Sequence, residues 1–248
     1  MFQSQILTTL KTAKAPQQTP LRRSLAALTL ALCALGATGC ENVSIAFKGP
    51  SIETPWFSFP SNKLNPLQIS GEKKWHSGDF QGALEDFEKL IKEEPNNAYA
   101  YFSRASSLAS LGKLQEAIDD ANKAIELDPN LAEAYENRGS VKAMTGNQGG
   151  ALLDFNRAIE RDENYASAYR NRGAVKSDLG NYEGALVDFN KAIKLDPNNA
   201  DAYRIRALTH DRNGNVTDAC KDYKKASSLG NDSATRTLEN PKNSGLCK

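Results

Sequence analysis

Residues 166–199 read ASAYRNRGAVKSDLGNYEGALVDFNKAIKLDPNN, and this stretch decides the fold. Its apolar residues recur at helical spacing in both halves, and Gly180-Asn181 separates the two halves. Glycine at that place can take the left-handed conformation that ends a helix. Pro197 then stops the second half, because proline cannot continue a helix. The stretch therefore predicts two helices joined by a tight turn.

The two predicted helices have complementary faces. Gly173 and Ala185 are small residues at the points where the helices must approach closely, and Tyr169 and Phe189 fill the remaining volume. The second half carries one apolar stripe, made of Ala185, Leu186, Phe189, Ala192 and Ile193. Such a hairpin cannot bury its apolar face alone, so it must stack on copies of itself.

The copies are present, because the pattern recurs every 34 residues. Glycine recurs at Gly78, Gly112, Gly146, Gly180 and Gly214. Alanine recurs at Ala83, Ala117, Ala151, Ala185 and Ala219. Tyrosine recurs at Tyr101, Tyr135, Tyr169 and Tyr203. A fixed period of this length is the signature of a solenoid. It predicts five repeats, at 64–97, 98–131, 132–165, 166–199 and 200–233.

These columns resemble the tetratricopeptide repeat (TPR). That family has an aromatic residue at repeat position 4, Gly at 8, Ala at 20, an aromatic at 24, Ala at 27 and Pro at 32. Repeat 166–199 matches all six, through Tyr169, Gly173, Ala185, Phe189, Ala192 and Pro197. The resemblance covers residues 64–233 and implies an all-α fold, an α-solenoid of about five TPR helix-turn-helix repeats in a right-handed superhelix.

Two charged columns follow the same period. Aspartate occupies one position in all five repeats, at Asp86, Asp120, Asp154, Asp188 and Asp222. Arginine occupies another position in four repeats, at Arg104, Arg138, Arg172 and Arg206. We interpret them as a structural ladder of exposed ion pairs, each contributing about 0–1 kcal/mol and fixing the register between repeats. Each Arg pairs either within its own repeat or with the preceding one.

The first 40 residues have the parts of an export signal. Arg22-Arg23 precedes an apolar run at residues 24–39, and no acidic residue occurs before Glu41. The run is shorter than the ~20 residues that span a bilayer. Ala37-Thr38-Gly39-Cys40 resembles the bacterial lipoprotein motif, so Cys40 is a lipidation candidate. Three other interpretations are a cleaved signal on a soluble exported protein, an uncleaved anchor and a bipartite organelle-lumen transit sequence.

The flanks of the repeats differ in character. Residues 41–63 form a Pro/aromatic linker, which serves as a tether or packs onto the array and covers the first repeat or its groove. Residues 234–248 form a C-terminal cap. Cys220 and Cys247 are a disulfide candidate, because in an oxidising compartment such a pair can close into a bridge, and the alternative is two buried free thiols.

The sequence offers no catalytic constellation. The two histidines, His76 and His210, lie on first helices, and neither is spaced to complete a metal site. No phosphate-binding or dinucleotide-binding fingerprint is present. The net charge is +1, and four basic residues in the first 40 leave the body slightly acidic, which disfavours nucleic acid as a partner. We predict a protein that is not an enzyme and needs no cofactor or metal.

A binding groove is the functional prediction. In the TPR family the first helices line a concave surface, and repeat positions 2, 5, 6, 9 and 12 face the ligand. Here they include Tyr99, Phe102, Glu136, Asn137, Arg170, Asn171, Arg204 and Asp211. Asn can hydrogen-bond a peptide backbone, and Arg can bind a carboxylate through two nitrogens. The family's clamp for chaperone C-termini is excluded, because among repeats two to four only Asn137 matches its pattern.

These observations predict an exported adaptor, membrane-tethered on the periplasmic or lumenal side by its N-terminal lipid or signal anchor. It binds a partner protein or peptide in the groove and aids assembly or maintenance of a complex. The alternative is a structural subunit of an envelope or lumenal complex, engaged through its convex face or repeat ends. A soluble periplasmic or organelle-lumen protein is the alternative location.

Overall fold

The structure is a computed structural model that describes residues 65–240 and Cys247. Eleven helices run through the described residues: α1 Pro66–His76, α2 Phe80–Glu93, α3 Ala98–Ser110, α4 Leu114–Leu127, α5 Ala132–Met144, α6 Gln148–Arg161, α7 Ala166–Asp178, α8 Tyr182–Leu195, α9 Ala200–Arg212, α10 Val216–Ser228 and α11 Asp232–Glu239. No strand occurs among them. The all-α prediction is confirmed. The export signal with Cys40 and the linker 41–63 lie outside the described residues.

A glycine followed by an Asx residue makes most of the turns inside hairpins. Gly180 has φ 79°, and its N–H donates to the Ser177 carbonyl at 3.0 Å. The neighbouring Asn181 side chain then accepts from the Gly184 N–H at 3.0 Å and caps α8. One dipeptide therefore ends the first helix and begins the second, which explains why a 34-residue sequence pattern locates both helices.

Within a hairpin the two helices approach where a glycine faces a buried phenylalanine. A Cβ atom on Gly173 would lie 2.9 Å from Phe189 Cε1, and Phe189 is fully buried. Gly139 meets Phe155 in the same way. Any larger residue would push apart helices that have no space to yield.

Successive hairpins share their cores. Tyr135 of α5, Ala158 of α6 and Ala168 of α7 form one buried cluster across a repeat boundary. Each second helix also packs on the first helix of the next hairpin. At the far end α11 buries Ala234 against Ala207 and Tyr223, so it closes the last hairpin. Cys220 of α10 is joined to Cys247, with their Cα atoms 5.3 Å apart.

The ladder arginines bind aspartates within their own hairpins. Each donates through two nitrogens to the carboxylate sixteen residues later, on the second helix. Arg172 Nε donates to Asp188 Oδ2 at 2.9 Å and Nη2 to Oδ1 at 2.6 Å. The same bonds join Arg104 to Asp120, Arg138 to Asp154 and Arg206 to Asp222. Each guanidinium also lies over the ring of the tyrosine three residues before it, at 5.5–5.7 Å from the centroid.

Three of these arginines also use their third nitrogen to donate a hydrogen bond to the preceding hairpin. The Nη1 atoms donate at 2.6–2.7 Å to asparagine side chains on the preceding second helix: Arg138 to Asn122, Arg172 to Asn156 and Arg206 to Asn190. These asparagines also recur every 34 residues, a signal that our sequence analysis missed. One guanidinium therefore ties together three helices from two repeats.

The expectation of exposed pairs is wrong, because all five aspartates are only 1–8% exposed. Burial raises the pKa of Asp154, but bonds from Arg138 and Lys142 outweigh it and hold the pKa below its usual value. In the first hairpin Ser70 stands at the arginine position. Asp86 instead accepts from Ser70 Oγ at 2.6 Å and pairs with Lys74 Nζ at 2.6 Å.

Replacing a ladder carboxylate should destabilise the array in a pH-dependent way. Asp154→Asn should lower the free energy of unfolding at pH 7 by about 3–5 kcal/mol, because it leaves two cations near a buried neutral group. The folded-state pKa is depressed, so the carboxylate's stabilisation is present above the unfolded value of about 3.9 and is lost as pH falls through the folded pKa. Urea unfolding should therefore show that the difference in unfolding free energy between wild type and Asp154→Asn becomes smaller from pH 7 to pH 3.

The matched control is Asp201→Asn, which alters an exposed carboxylate that accepts from Arg204 at 3.4 Å. Its effect should stay within about 1 kcal/mol. A gap for Asp154→Asn that stayed constant down to pH 3 would contradict the ionic origin of the stabilisation.

Candidate functional site

The first helices of neighbouring hairpins contact one another directly, α3 with α5, α5 with α7, and α7 with α9. Every groove candidate lies on these four helices. We call their shared surface the first-helix face, formed by Tyr99, Phe102, Glu136, Asn137, Arg170, Asn171 and Arg204. Asp211 lies in the last turn of α9 and is exposed. The repeat register therefore brings the predicted residues onto one series of adjoining helices.

Amide side chains link each first helix to the one before it. Asn137 Nδ2 donates to Ser106 Oγ at 2.9 Å, joining α5 to α3. Asn171 Nδ2 donates to Ser140 Oγ at 3.2 Å and also to Glu136 Oε1, joining α7 to α5. The Asn171 donor is thus used within the protein. Asn137 differs, because its Oδ1 is buried and has no hydrogen-bond partner among the described residues.

Glu136 is a crowded carboxyl at the centre of this face. Desolvation by its packed neighbours raises its pKa, against hydrogen bonds from Ser140 and Asn171 and the charge of Arg170. Ser140 Oγ donates to Glu136 Oε1 at 3.0 Å, the oxygen that Asn171 also contacts. Glu136 therefore holds two neighbouring helices together by accepting hydrogen bonds.

Two arginines on this face have nitrogens to spare. Arg170 Nε donates to Asn171 Oδ1 at 3.2 Å, and Arg204 Nε donates to Asp201 Oδ1 at 3.4 Å. No described residue accepts a hydrogen bond from the Nη1 or Nη2 atoms of either. In the ladder, Arg172 and Arg206 use three nitrogens each. Arg170 and Arg204 occupy the same position in adjacent repeats, so two guanidiniums with unbonded Nη atoms lie on neighbouring first helices.

A pocket of about 210 Å³ opens at the other end of this face, between α1 and α3. Its lining residues are Glu72, Trp75, His76, Phe87, Tyr99, Phe102, Ser103 and Ser106. Tyr99 Oη donates to Glu72 Oε1 at 3.0 Å, and burial together with Glu72 raises the pKa of Tyr99 to about 12.

Sequence reasoning named Tyr99 and Phe102 but missed the residues that α1 contributes to this pocket. Glu72 and Trp75 stand at positions 9 and 12 of repeat 64–97, which are ligand-facing positions in the family pattern. The signal was available. The first repeat matches the pattern least well, having Leu67 where the others have tyrosine.

Two other kinds of site are missing from residues 65–240 and Cys247. Within them no group of three or more His, Cys, Asp or Glu side chains is placed to hold a metal ion. None of the helices described is both long and apolar enough to cross a bilayer.

Comparisons with known proteins identify the repeat. Models of the family described as "Tetratricopeptide repeat" match residues 71–132, 166–199 and 189–221. No protein of curated function matches the sequence.

Solved structures share the fold. A crystal structure of MamA protein is 30% identical, with a TM-score of 0.53 over 70% of this chain and 95% of that one. TTC0263, a TPR protein of Thermus thermophilus, is 22% identical, with a TM-score of 0.60 over 73% and 93%. YrrB, described as a TPR protein with an unusual peptide-binding site, is 22% identical, with a TM-score of 0.52 over 72% and 93%.

Removing the Glu136 charge should stabilise the protein at neutral pH. Glu136→Gln keeps an acceptor for Ser140 and Asn171 while removing a poorly solvated charge, so the free energy of unfolding should rise by on the order of 1 kcal/mol. The folded-state pKa of Glu136 is raised, so protonated Glu136 stabilises the folded wild-type protein. This stabilisation is fully present below the unfolded-state pKa and is lost as pH rises through the folded-state pKa. The advantage of the variant should therefore vanish below about pH 4.

Chemical denaturation at pH 4 and pH 7.5 measures this difference. Glu160→Gln is the control, because Glu160 is an exposed carboxyl on α6. It should change stability by less than about 0.5 kcal/mol at either pH. A destabilised Glu136→Gln protein at pH 7.5 would show that the charge, and not only the acceptor, holds α5 to α7.

Proposed function

We propose that this chain, which belongs to the tetratricopeptide repeat family, is a scaffold that binds a partner protein or peptide on its first-helix face. One observation carries the proposal. Arg170 and Arg204 lie on neighbouring first helices, and no described residue accepts from their Nη atoms. The ladder arginines two positions further along use all three guanidinium nitrogens, whereas the Nη atoms of Arg170 and Arg204 make no hydrogen bond that joins one repeat to the next.

The hydrogen-bonding geometry of the two guanidiniums favours a carboxylate as the group that they bind. A guanidinium donates two parallel hydrogen bonds to a carboxylate, with a geometry that lysine cannot reproduce. The partner therefore presents an acidic side chain or a C-terminus to Arg170 and Arg204. Docking is reversible, with no covalent bond made or broken, and it supports assembly or maintenance of a complex.

The solved relatives support the proposal through their fold. The peptide-binding site in the description of YrrB belongs to that protein, and at 22% identity it shows only that the same architecture can carry such a site. For this chain the proposal rests on its own arginines and on the contacts between its first helices.

The location is a further part of the proposal. The basic and apolar segment 1–40 directs the chain out of the cytoplasm, and lipidation at Cys40 tethers it to a membrane on the periplasmic or lumenal side. The Cys220–Cys247 pairing supports this location, because disulfides persist in oxidising compartments. A soluble protein of the same compartment is the alternative.

A structural subunit is the second candidate function, and one observation favours it. Leu153 and Val187 occupy the same repeat position on α6 and α8, and they are 61% and 68% exposed. Apolar side chains at successive second helices give a surface that another subunit can cover. Such a subunit would bind without the first-helix face.

The two functions predict different results in a paired affinity capture from the native membrane fraction, read by mass spectrometry. A partner captured by the intact protein should be lost from the double variant Arg170→Glu, Arg204→Glu, because charge reversal repels a carboxylate. The loss should reach about tenfold or more in captured partner, given the usual cost of breaking a charged interface contact.

The control carries the same change in charge elsewhere. Lys194→Glu with Lys224→Glu reverses two exposed lysines, one on α8 and one on α10, and it should leave capture unchanged. Thermal unfolding of all three proteins checks that they are equally folded. A partner that survives the arginine reversal but is lost with Leu153→Asp, Val187→Asp assigns function to the second-helix surface instead.

The tether is tested separately in cells. Wild-type protein should sediment with membranes and enter the detergent phase on Triton X-114 partitioning, whereas Cys40→Ser should stay in the aqueous phase, because it cannot carry a lipid. Cys33→Ser controls for loss of a cysteine from the same segment. Equal partitioning of wild type and Cys40→Ser would remove the lipid from the proposal and leave an uncleaved anchor or a soluble exported protein.

A further inference from the structure

The pocket between α1 and α3 has aromatic walls that are already in place. Tyr99 and Phe102 meet edge to face with centroids 5.5 Å apart, and Trp75 packs similarly on Phe80 at 6.1 Å. Phe87 at the base is 1% exposed. The pocket volume of about 210 Å³ exceeds the ~150 Å³ that suffices for an apolar cavity to bind benzene. The pocket therefore has the volume that a side chain of phenyl size needs.

Two polar atoms beside this pocket are buried without partners among the described residues. One is the indole Nε1 of Trp75, a donor, and the other is Oδ1 of Asn137, an acceptor. Ser106 lines the pocket and accepts from Asn137 Nδ2 at 2.9 Å, so Asn137 lies behind the pocket wall. Neither atom is accessible from the pocket, so the accessible walls are mainly apolar and suit an apolar side chain.

The charge at the rim excludes one class of side chain. Glu72 is the acidic residue of the lining, and its Oε1 already accepts from Tyr99 and from Gln68. Among residues 65–240, no Lys or Arg lines this pocket. An acidic side chain would meet a like charge there, whereas Arg170 and Arg204 lie two and three helices further along the face. The two ends of the first-helix face therefore differ in the chemistry that they accept.

We propose that this pocket is the anchor site for a large apolar side chain, aromatic by preference, of a partner peptide. The inference deepens the proposed function, since it rests on peptide docking along the same face. It defines the ligand as a segment with an aromatic anchor at the α1–α3 end and a carboxylate toward α7 and α9.

The test uses a small neutral probe on the full chain. N-acetyl-phenylalanine methylamide carries a phenyl group and two peptide groups, and its binding is followed by ¹H–¹⁵N correlation spectra of the indole groups. The chain has two tryptophans, so comparison with Trp56→Phe assigns the Trp75 signal. The probe should shift the Trp75 indole signal saturably, and N-acetyl-alanine methylamide should bind about tenfold more weakly or worse, because it leaves the pocket unfilled.

A pair of matched variants localises the effect. Ser106→Leu places a larger side chain on the pocket wall and should weaken the phenylalanine probe by about tenfold or more. Ser140→Leu makes the same change at the same repeat position of the next hairpin, outside the pocket, and should leave the probe affinity unchanged. Should Ser106→Leu fail to fold, Phe102→Ala, which removes a half-buried wall ring, should weaken the probe instead.

Three results would overturn the inference. They are an unmoved Trp75 signal at the solubility limit of the probe, equal affinity for the alanine and phenylalanine probes, and unchanged affinity in both Ser106→Leu and Phe102→Ala. A Trp75 signal that moves with protein concentration alone, together with a dimer in sedimentation that Ser106→Leu abolishes, would assign the pocket to a second copy of the chain.

The failure of this inference is separable from that of the proposed function. The probe is neutral, so Arg170→Glu, Arg204→Glu should not change its affinity. If the arginine variant loses the partner but the probe does not bind to the wild-type protein, the scaffold proposal stands and the anchor pocket is wrong. If the probe binds but the partner is still captured by Arg170→Glu, Arg204→Glu, the pocket proposal stands and the arginine site is wrong.

Discussion

A buried carboxylate recurs once in every hairpin, and the rest of the structure is arranged around neutralising it. An isolated charge in the interior is costly, so each aspartate needs a cation that reaches it without exposing it to water. The ladder arginines do this through two nitrogens and stack on a tyrosine, as Arg172 does on Tyr169. Because three of them extend a third nitrogen to the preceding hairpin, the same interaction that stabilises one repeat also sets its register on its neighbour.

Residues that hold the repeats together and residues that are proposed to bind a ligand lie on different sides of the same helix. Arg172 and Arg170 are two residues apart on α7, so they point to different sides of it. Arg172 lies against the second helix and donates hydrogen bonds from all three guanidinium nitrogens, whereas Arg170 lies on the first-helix face and donates only from Nε. The array can therefore change the residues that face a ligand without disturbing those that hold the repeats together. Repeat proteins combine a constant scaffold with a variable surface in this manner.

The first-helix face has different chemistry at its two ends. Aromatic rings from α1, α2 and α3 enclose a pocket with one acidic residue, while α7 and α9 present two guanidiniums. Between them, bonds from Asn137 and Asn171 fasten each first helix to the one before it. The proposed ligand would therefore contact an apolar pocket at one end of the face and two cations at the other, and the amide groups between them serve to join the helices.

The sequence by itself determined the hairpins, because their signals are local. Gly180 ends one helix and Pro197 follows the next, and the 34-residue period then places every copy. It also placed Arg170 and Arg204 in equivalent positions, whereas the export signal and lipidation of Cys40 stay predictions. Only the tertiary structure decided that the aspartates are buried, that each arginine pairs with the aspartate of its own hairpin and that Trp75 helps to form a pocket. Burial and pairing depend on which neighbouring helix covers a side chain and at what distance, and a residue's own periodicity does not contain that information.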